Sequence, residues 1–175
     1  PEALYIGCSD SRVTAEEIIG AEPGELFVHR NIANSIISTD LNGMSVIEYA
    51  VVHLKVNHII ICGHYGCGGV EAAMKSEDLG ILNPWLRNIR DVYRIHKDRL
   101  NLIEDKSQLH KKLVDLNVEE QCFNLLKVAS VQRAVKHRGL KVYGWVFDLE
   151  TGKIIDLEID FNALLEGIRE IYALD

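Results

Sequence analysis

Two short motifs in this sequence carry side chains that could do chemistry. The first is Cys8-Ser9-Asp10-Ser11-Arg12, and the second is His64-Tyr65-Gly66-Cys67, which continues into Gly68 and Gly69. Thiolates, imidazoles and carboxylates bind zinc in proteins, and the His-x-x-Cys spacing lets two ligands reach one ion from a single turn. The glycines remove side-chain bulk and permit positive φ, so a ligand can approach the backbone closely. Each motif alone is a weak signal, but together they predict a zinc site.

Short apolar runs place both motifs at the ends of predicted strands. Residues 4–6 lead into the first motif and residues 59–61 lead into the second, and both runs are typical of buried strands. In an open parallel sheet, ligands bind in the crevice at the carboxyl ends of the strands. The two motifs can therefore meet at one edge of a sheet although they lie far apart in the sequence.

Strand and helix patterns alternate along the chain, which is typical of a parallel sheet. Further strands are predicted at residues 26–28 and 142–147, and helices at residues 14–19, at residues 44–54 and in a layer at residues 83–137. The first of these helices opens with Thr14-x-x-Glu17, the pattern of a capping box. The elements that precede the two motifs thus belong to one layered α/β architecture.

The end of the chain completes this prediction. Residues 153–159 follow the turn Thr151-Gly152 and predict one antiparallel strand. A closing helix has an apolar stripe made of Phe161, Leu164, Leu165, Ile168 and Tyr172. The predicted fold class is α/β, with a central, mostly parallel β-sheet that has one antiparallel edge strand and is flanked by helices. Residues 1–175 are expected to form one domain, since chains divide mostly above about 250 residues.

Composition narrows the classes of protein to consider. The chain has 19 Lys and Arg against 26 Asp and Glu, a net charge of −7, which disfavours a nucleic-acid partner. No apolar run approaches the roughly 18 residues that cross a bilayer, and no secretory signal opens the sequence, so we expect a cytoplasmic protein without a membrane partner. An organelle is the alternative if a targeting segment preceded Pro1. The four cysteines predict reduced thiols or metal ligands rather than disulfides.

The sequence resembles the β-class carbonic anhydrases. That family shares Cys-x-Asp-x-Arg after one strand and His-x-x-Cys after a later one, and both motifs are present here. The likeness continues through Pro23-Gly24-Glu25, Arg30-Asn31-Ile32-Ala33-Asn34, Ser45-Val46-Ile47-Glu48-Tyr49-Ala50 and Gly144-Trp145-Val146. It extends from Tyr5 to Ile159, which makes chance similarity improbable.

The resemblance implies both a metal site and a reaction. Cys8, His64 and Cys67 would hold Zn²⁺, while Asp10 either supplies a fourth ligand or turns away to pair with Arg12. A zinc ion with an open position yields hydroxide near neutral pH, the nucleophile for reversible hydration of carbon dioxide to bicarbonate and a proton. Because two thiolates cancel the charge of the ion, we expect activity to increase towards alkaline pH.

The family also suggests an assembly and a second anion pocket. Its members are dimers or dimers of dimers, and the helix at residues 44–54 is apolar nearly all round, so a homodimer is expected. Only seven residues precede Cys8, so the N-terminal helical arm of the family is expected to be absent from this chain. Some members hold bicarbonate beside the zinc site, and the matching positions here are Tyr5, Arg30 and Phe147.

Three other functions fit parts of the sequence. The same scaffold could hydrolyse a related linear molecule such as carbon disulfide. Asp10 could permanently close a structural zinc site without catalysis. A thiol redox protein is disfavoured, because Cys62 and Cys67 do not form C-x-x-C. The remaining histidines lack a paired motif and are interpreted as surface or packed residues: His29, His53, His58, His96, His110 and His137.

Overall fold

The fold is built around a five-stranded sheet, seen in a computed structural model that describes residues 1–171 and 173–174. The strands are β1 (Ala3–Cys8), β2 (Leu26–Asn31), β3 (His58–His64), β4 (Lys141–Asp148) and β5 (Lys153–Asp156). Their order is β2-β1-β3-β4-β5, and only β4 and β5 pair in antiparallel fashion. The predicted mostly parallel sheet with one antiparallel edge strand is confirmed.

Helices flank this sheet as predicted. They are α1 (Ala15–Ile19), α2 (Leu41–Glu48), α3 (Gly68–Ala73), α4 (Asn83–Ile95), α5 (Lys97–Leu100), α6 (Lys106–Leu126), α7 (Ala129–Arg138) and α8 (Phe161–Ile171). Within the described part of the chain, no helix is long and apolar enough to cross a membrane. The predicted helical layer at residues 83–137 is confirmed as α4 to α7.

The longest helix, α6, lies directly against the sheet because two glycines leave room for it. A Cβ on Gly63 of β3 would lie 2.7 Å from Val118, and a Cβ on Gly144 of β4 would lie 3.1 Å from the Cys122 sulfur. Real Cβ atoms essentially never approach within 3.0 Å of another heavy atom. The Gly63 distance is below this limit and the Gly144 distance is just above it, so a side chain at Gly63 would clash with α6 and one at Gly144 would require α6 to shift slightly.

The two faces of the sheet are covered differently. Alternate residues of β1, such as Leu4 and Ile6, point into the large core beneath α6 and are fully buried. Tyr5 points to the opposite face, where a smaller cluster includes Ala15 of α1 and Ile60 of β3. Side chains of successive strand residues alternate between faces, so β1 serves both clusters. The motif that follows β1 is thereby anchored from both sides.

Several predicted boundaries require correction. Thr14 precedes α1, but its hydroxyl donates to the Glu17 carboxylate at 2.6 Å instead of accepting from a backbone amide, so the capping box is incomplete. The antiparallel strand ends at Asp156, earlier than predicted. Within the confirmed helical layer, α6 ends at Leu126 and α7 begins at Ala129. Of the closing helix, Tyr172 lies outside the described residues.

The predicted helix at residues 44–54 also differs in form. It is α-helical to Glu48 and continues as a π-helical turn from Tyr49 to His53. Ile47 and Ala50 are buried, whereas Tyr49 is 50% and Val52 41% exposed. A helix buried on all sides within its own chain is therefore not observed. The described residues leave one apolar face of this helix uncovered.

Candidate metal centre

The ends of two strands bring the predicted ligands together. Cys8 is the last residue of β1, His64 is the last residue of β3, and Cys67 precedes the first turn of α3. One ligand atom from each of these residues lies within 4.8 Å of the others, and all three side chains are buried. Because β1 and β3 are neighbouring parallel strands, the meeting of the two motifs follows from the sheet register.

The donor atoms are arranged as a metal site requires. His64 Nδ1 donates to the carbonyl of Tyr65 at 3.0 Å, which leaves Nε2 as the free acceptor. Nε2 is buried and has no hydrogen-bond partner. A buried polar atom without a partner is costly unless something completes it. One imidazole nitrogen and two sulfurs fit zinc, and a hydrogen bond from the other ring nitrogen is usual for metal-binding histidine.

The two sulfurs share a hydrogen bond, with Cys8 Sγ and Cys67 Sγ 3.9 Å apart. The Cys67 thiol is the main cause that lowers the pKa of Cys8 to about 4, and the His64 side chain contributes in the same direction. The same bond, followed by burial, raises the pKa of Cys67. The pair therefore loses its first proton easily, whereas loss of the second proton is unfavourable. A bound divalent cation would stabilise the second thiolate.

Asp10 is held away from the ligand group by Arg12. The Arg12 side chain donates to both carboxylate oxygens, at 2.9 Å and 2.6 Å, and its backbone N–H adds a third bond. These bonds hold the pKa of Asp10 well below its usual range. The Asp10 carboxylate still lies 3.9 Å from His64 Nε2. The carboxylate therefore lies next to the predicted ligands while it is bound to Arg12.

Two arginines fix the backbone around these ligands. Arg12 also donates to the carbonyl of Gly66 at 3.2 Å, which ties the first motif to the second. Arg30 of β2 donates to the carbonyl of Cys8 at 2.8 Å and to that of Asp10. Both carbonyls would otherwise need a partner at a strand end. Arg30 thus positions the loop that carries the ligands.

Glycines shape the second motif. Gly66 has φ of 70°, a left-handed conformation that glycine adopts without steric cost. A Cβ on Gly69 would lie 2.6 Å from Ile32, whereas one on Gly68 would meet nothing within 4 Å. The amides of Gly69 and Val70 hydrogen-bond to the Cys67 sulfur and act to lower its pKa. The start of α3 therefore directs backbone donors at a ligand.

Sequence reasoning missed residues of α6 that support the second motif. His110 Nε2 lies 3.1 Å from the carbonyl of Cys67, although His110 was predicted to be only a surface or packed residue. The hydroxyl of Tyr65 donates to Asp115 at 3.0 Å. Asp115 is half-buried, and burial is the main cause that raises its pKa. No spacing in the sequence signals these contacts, because they join segments more than forty residues apart.

The residues of the suggested second anion pocket lie on one face of the sheet. Tyr5 and Phe147 belong to the same small cluster, and the charge of Arg30 acts on the Tyr5 hydroxyl. Tyr5 is buried, and its hydroxyl donates to the Cys62 sulfur. Burial raises the pKa of Cys62 to about 11. Two of the donors of Arg30 are already bonded to backbone carbonyls.

Comparison with known proteins agrees with this geometry. A sequence model of a family described as carbonic anhydrase matches residues 3–154. A protein from Emericella nidulans named carbonic anhydrase is 58% identical over 175 residues, covering 99% of this chain and 77% of its own length.

Solved structures are similar over nearly the whole chain. A β-carbonic anhydrase of Aspergillus fumigatus superposes with a TM-score of 0.93 at 40% identity, covering 100% of this chain and 84% of that one. A β-carbonic anhydrase of Sordaria macrospora, described as tetrameric, gives a TM-score of 0.88 at 43% identity, with coverage of 91% and 81%. The overall fold thus has counterparts in known structures.

Proposed function

Because the chain belongs to the β-carbonic anhydrase family, we propose that Cys8, His64 and Cys67 hold a zinc ion and that the site hydrates carbon dioxide reversibly. The single observation that carries the proposal is the buried group of two sulfurs and one unpartnered imidazole nitrogen. Zinc bound by three protein ligands supplies Lewis acidity that lowers the pKa of water to about 7 in catalytic sites.

The residues around the proposed site would match the charge of the ion and hold its ligands in place. Two thiolates and a neutral imidazole match the charge of the cation, and their burial keeps competing water away from the ligand bonds. His64 is oriented by its bond to the Tyr65 carbonyl, and Cys67 by the first amides of α3. Each ligand is therefore held before the metal arrives, which reduces the ordering required on binding.

Asp10 and Arg12 decide whether a fourth position is open. While Arg12 binds both carboxylate oxygens, Asp10 stays an acceptor that faces the site without occupying it. In that arrangement Asp10 would not occupy the zinc, and its carboxylate could accept a hydrogen bond from a reacting oxygen. The pairing favours catalysis over a structural site that Asp10 closes permanently.

The experiment is stopped-flow hydration of carbon dioxide on protein whose zinc content has been assayed. We expect one zinc per chain and activity in the wild type, and loss of both in Cys67→Ser. The matched control is Cys62→Ser, which changes a buried cysteine of β3 that is not in the ligand group. Full zinc content in both Cys67→Ser and His64→Ala would refute the site.

The same preparation separates the alternative functions. Zinc-replete protein without hydration activity at about pH 9 would favour a structural site, and assay with carbon disulfide tests the related hydrolase. A redox role is further weakened by the burial of Cys62 and Cys122. Burial raises the pKa of both thiols and keeps them protonated.

We also propose that Tyr5, Arg30 and Phe147 form a weak second bicarbonate pocket. Phe147 lacks a hydroxyl, and one neutral hydrogen bond contributes about 0.5–1.5 kcal/mol. Bicarbonate inhibition is therefore expected to be weak in the wild type and several-fold stronger in Phe147→Tyr, measured as hydration rate against bicarbonate at about pH 8. Strong cooperative inhibition that Phe147→Tyr leaves unchanged would show that the pocket is misplaced.

The proposed form of the protein is a cytoplasmic homodimer, or a dimer of dimers, in which residues 1–175 act as one domain. Self-association is supported by the exposed apolar face of the helix that ends in the π-helical turn and by the tetrameric Sordaria relative. A single cooperative unfolding transition, followed by two spectroscopic probes, would support one domain.

A further inference from the structure

The turn that joins His64 to Cys67 consists of two residues, Tyr65 and Gly66. Gly66 has φ of 70° and carries no side chain, so its backbone can change conformation at little steric cost. A change at this glycine would alter the spacing between the His64 ring and the Cys67 sulfur. The turn therefore needs anchors on both sides of Gly66 if the two ligands are to stay in place for one ion.

The first anchor lies before the glycine, at Tyr65. The Tyr65 hydroxyl donates to Asp115 Oδ1 of α6 at 3.0 Å, and the Tyr65 backbone N–H donates to the carbonyl of Phe147 at 3.0 Å. The Tyr65 carbonyl is the group that accepts from His64 Nδ1. Because Tyr65 is held through both its side chain and its backbone, the direction of this carbonyl is fixed, and the imidazole ring is oriented with it.

Two lysines of α6 surround this anchor. Lys111 Nζ lies 5.2 Å from the centroid of the Tyr65 ring, which is within the range of a cation–π contact. Lys112 Nζ lies 3.9 Å from Asp115 Oδ2. The half-buried carboxylate thus offers one oxygen to the tyrosine hydroxyl and has the other near a lysine.

The second anchor lies after the glycine, at the carbonyl of Cys67. His110 Nε2 of α6 donates to this carbonyl at 3.1 Å, and the backbone N–H of Glu71 in α3 donates to it at 3.0 Å. A carbonyl oxygen has two lone pairs and can accept both bonds. Cys67 is therefore held from two helices at once.

Both anchors belong to a helix that is itself firmly held. Helix α6 has 21 residues, and its first turn is capped by Asp105, whose side chain accepts from the N–H of Gln108 at 2.8 Å. Leu113 and Val114, which lie between the two anchoring residues in the sequence, are buried in the large core. Side chains on a packed helix hold a site more precisely than side chains on a loop.

We propose that Asp115 and His110 are positioning residues that hold the turn from α6 on both sides of Gly66. By fixing the spacing of His64 and Cys67, they slow the release of a bound metal ion. The inference rests on the proposed zinc site. Neither Asp115 nor His110 belongs to the ligand group, so both act through the turn.

The test measures how fast zinc passes from the loaded protein to a chromogenic chelator. Tyr65→Phe keeps the ring beside Lys111 and removes the hydroxyl, whereas His110→Leu removes the donor to the Cys67 carbonyl. Each variant should bind one zinc per chain and release it about tenfold faster, as for other supporting residues around metals. Cobalt-loaded protein should show altered visible bands in both variants, because these bands report the geometry of the ligands.

Conservative substitutions separate the two hydrogen bonds from general packing. Asp115→Asn still offers an oxygen to the Tyr65 hydroxyl, and His110→Gln still offers a side-chain N–H, so both should release zinc at the wild-type rate. Tyr93→Phe is the matched control, because it removes a hydroxyl that bonds to Asn101 rather than to the turn. It should change neither the release rate nor the cobalt bands.

Each outcome supports or overturns the proposal. Wild-type release rates in folded Tyr65→Phe and His110→Leu overturn it, as do conservative variants that release zinc as fast as these two. If Tyr65→Phe or His110→Leu does not fold, Asp115→Ala or His110→Ala is measured in its place. Failure of these variants to fold would assign the contacts to core stability alone and would also overturn the proposal. Wild-type protein that binds no zinc refutes the proposed function, which metal analysis shows separately from any change in release rate.

Discussion

At the scale of single residues, Asp10 lies between the Arg12 side chain and the proposed metal ligands. Arg12 binds the carboxylate, which also lies 3.9 Å from His64 Nε2. A bidentate arginine pair is stronger than a neutral hydrogen bond, but Arg12 is exposed and the pair is therefore weakened by solvent. The balance between the two states should thus respond to changes at Arg12.

We predict that Arg12→Ala lowers hydration activity about tenfold to a hundredfold while the zinc content stays at one per chain. Without Arg12 the carboxylate occupies the metal more often and closes the fourth position. Stopped-flow rates with metal analysis measure both quantities. The double variant Arg12→Ala/Asp10→Asn should recover part of the rate. Wild-type activity in Arg12→Ala would contradict the proposal that Arg12 keeps Asp10 away from the metal.

A buried thiol makes stability depend on alkaline pH. Burial raises the pKa of Cys62 to about 11 in the folded protein, against about 8.5 in an unfolded chain. Its contribution to stability is complete below about pH 8.5 and is lost as the pH rises towards 11, because the unfolded state releases the proton first.

We therefore predict that Cys62→Ser shows a smaller loss of unfolding free energy between about pH 8 and 10.5 than the wild type, by up to about 3 kcal/mol. Urea unfolding of both proteins at several pH values measures this difference in unfolding free energy. Serine does not titrate in this range and still accepts from Tyr5. Parallel pH curves for the two proteins would contradict the assignment.

The sequence allowed the grouping of the proposed ligands to be predicted, because they stand in two compact motifs. The distances among Cys8, His64 and Cys67 then follow from the pairing of β1 with β3. The hydrogen bond from Asn117 to Ala33 could not be predicted in this way, since it joins the turn after β2 to a helix that begins far along the chain. The residue types alone do not indicate such a contact.

At the scale of elements, Gly144 leaves room on the sheet for both α6 and the segment after β5. A Cβ there would lie 3.1 Å from the Cys122 sulfur of α6 and 2.4 Å from the end of the Ile159 side chain. We predict that Gly144→Ala lowers the free energy of unfolding by about 1–3 kcal/mol, the usual cost of overpacking. Chemical denaturation measures the change.

The control is Gly167→Ala in α8, where a new Cβ meets nothing within 4 Å. Replacing a helix glycine by alanine is expected to stabilise by about 0.5–1 kcal/mol. Equal effects of the two substitutions would mean that helix packing on β4 is looser than the contacts indicate.

Element types were easier to predict than their ends. Apolar runs identified β1 to β4, although only β1 and β3 are buried on both faces and β4 alternates between buried and half-buried residues. The strand ends could not be predicted, because pairing with neighbours carries β3 on through Cys62, Gly63 and His64. The π-helical turn was also missed, since Tyr49 to His53 has the same apolar spacing as an α-helix.

At the scale of the whole molecule, an uncovered apolar face points to a partner chain. We predict a dimer that Val52→Glu weakens at least tenfold, because a charge would have to be buried in the interface. Sedimentation at micromolar concentration measures the association. Ile81→Glu, at a side chain 96% exposed on another segment, should have no effect. A wild-type monomer would contradict the prediction.

The placement of the proposed ligands at or just after the ends of β1 and β3 would also make a bound zinc ion a reporter of folding. His64 and Cys67 are near neighbours, but Cys8 joins them only after a loop of 64 − 8 = 56 residues has closed. Closing such a loop in the unfolded chain costs about 4 kcal/mol of entropy, so the ion binds the folded state far more tightly. Removal of the zinc by a chelator should therefore lower the urea concentration at which half of the protein is unfolded. The concentration of free zinc should likewise determine the folded fraction of newly synthesised protein.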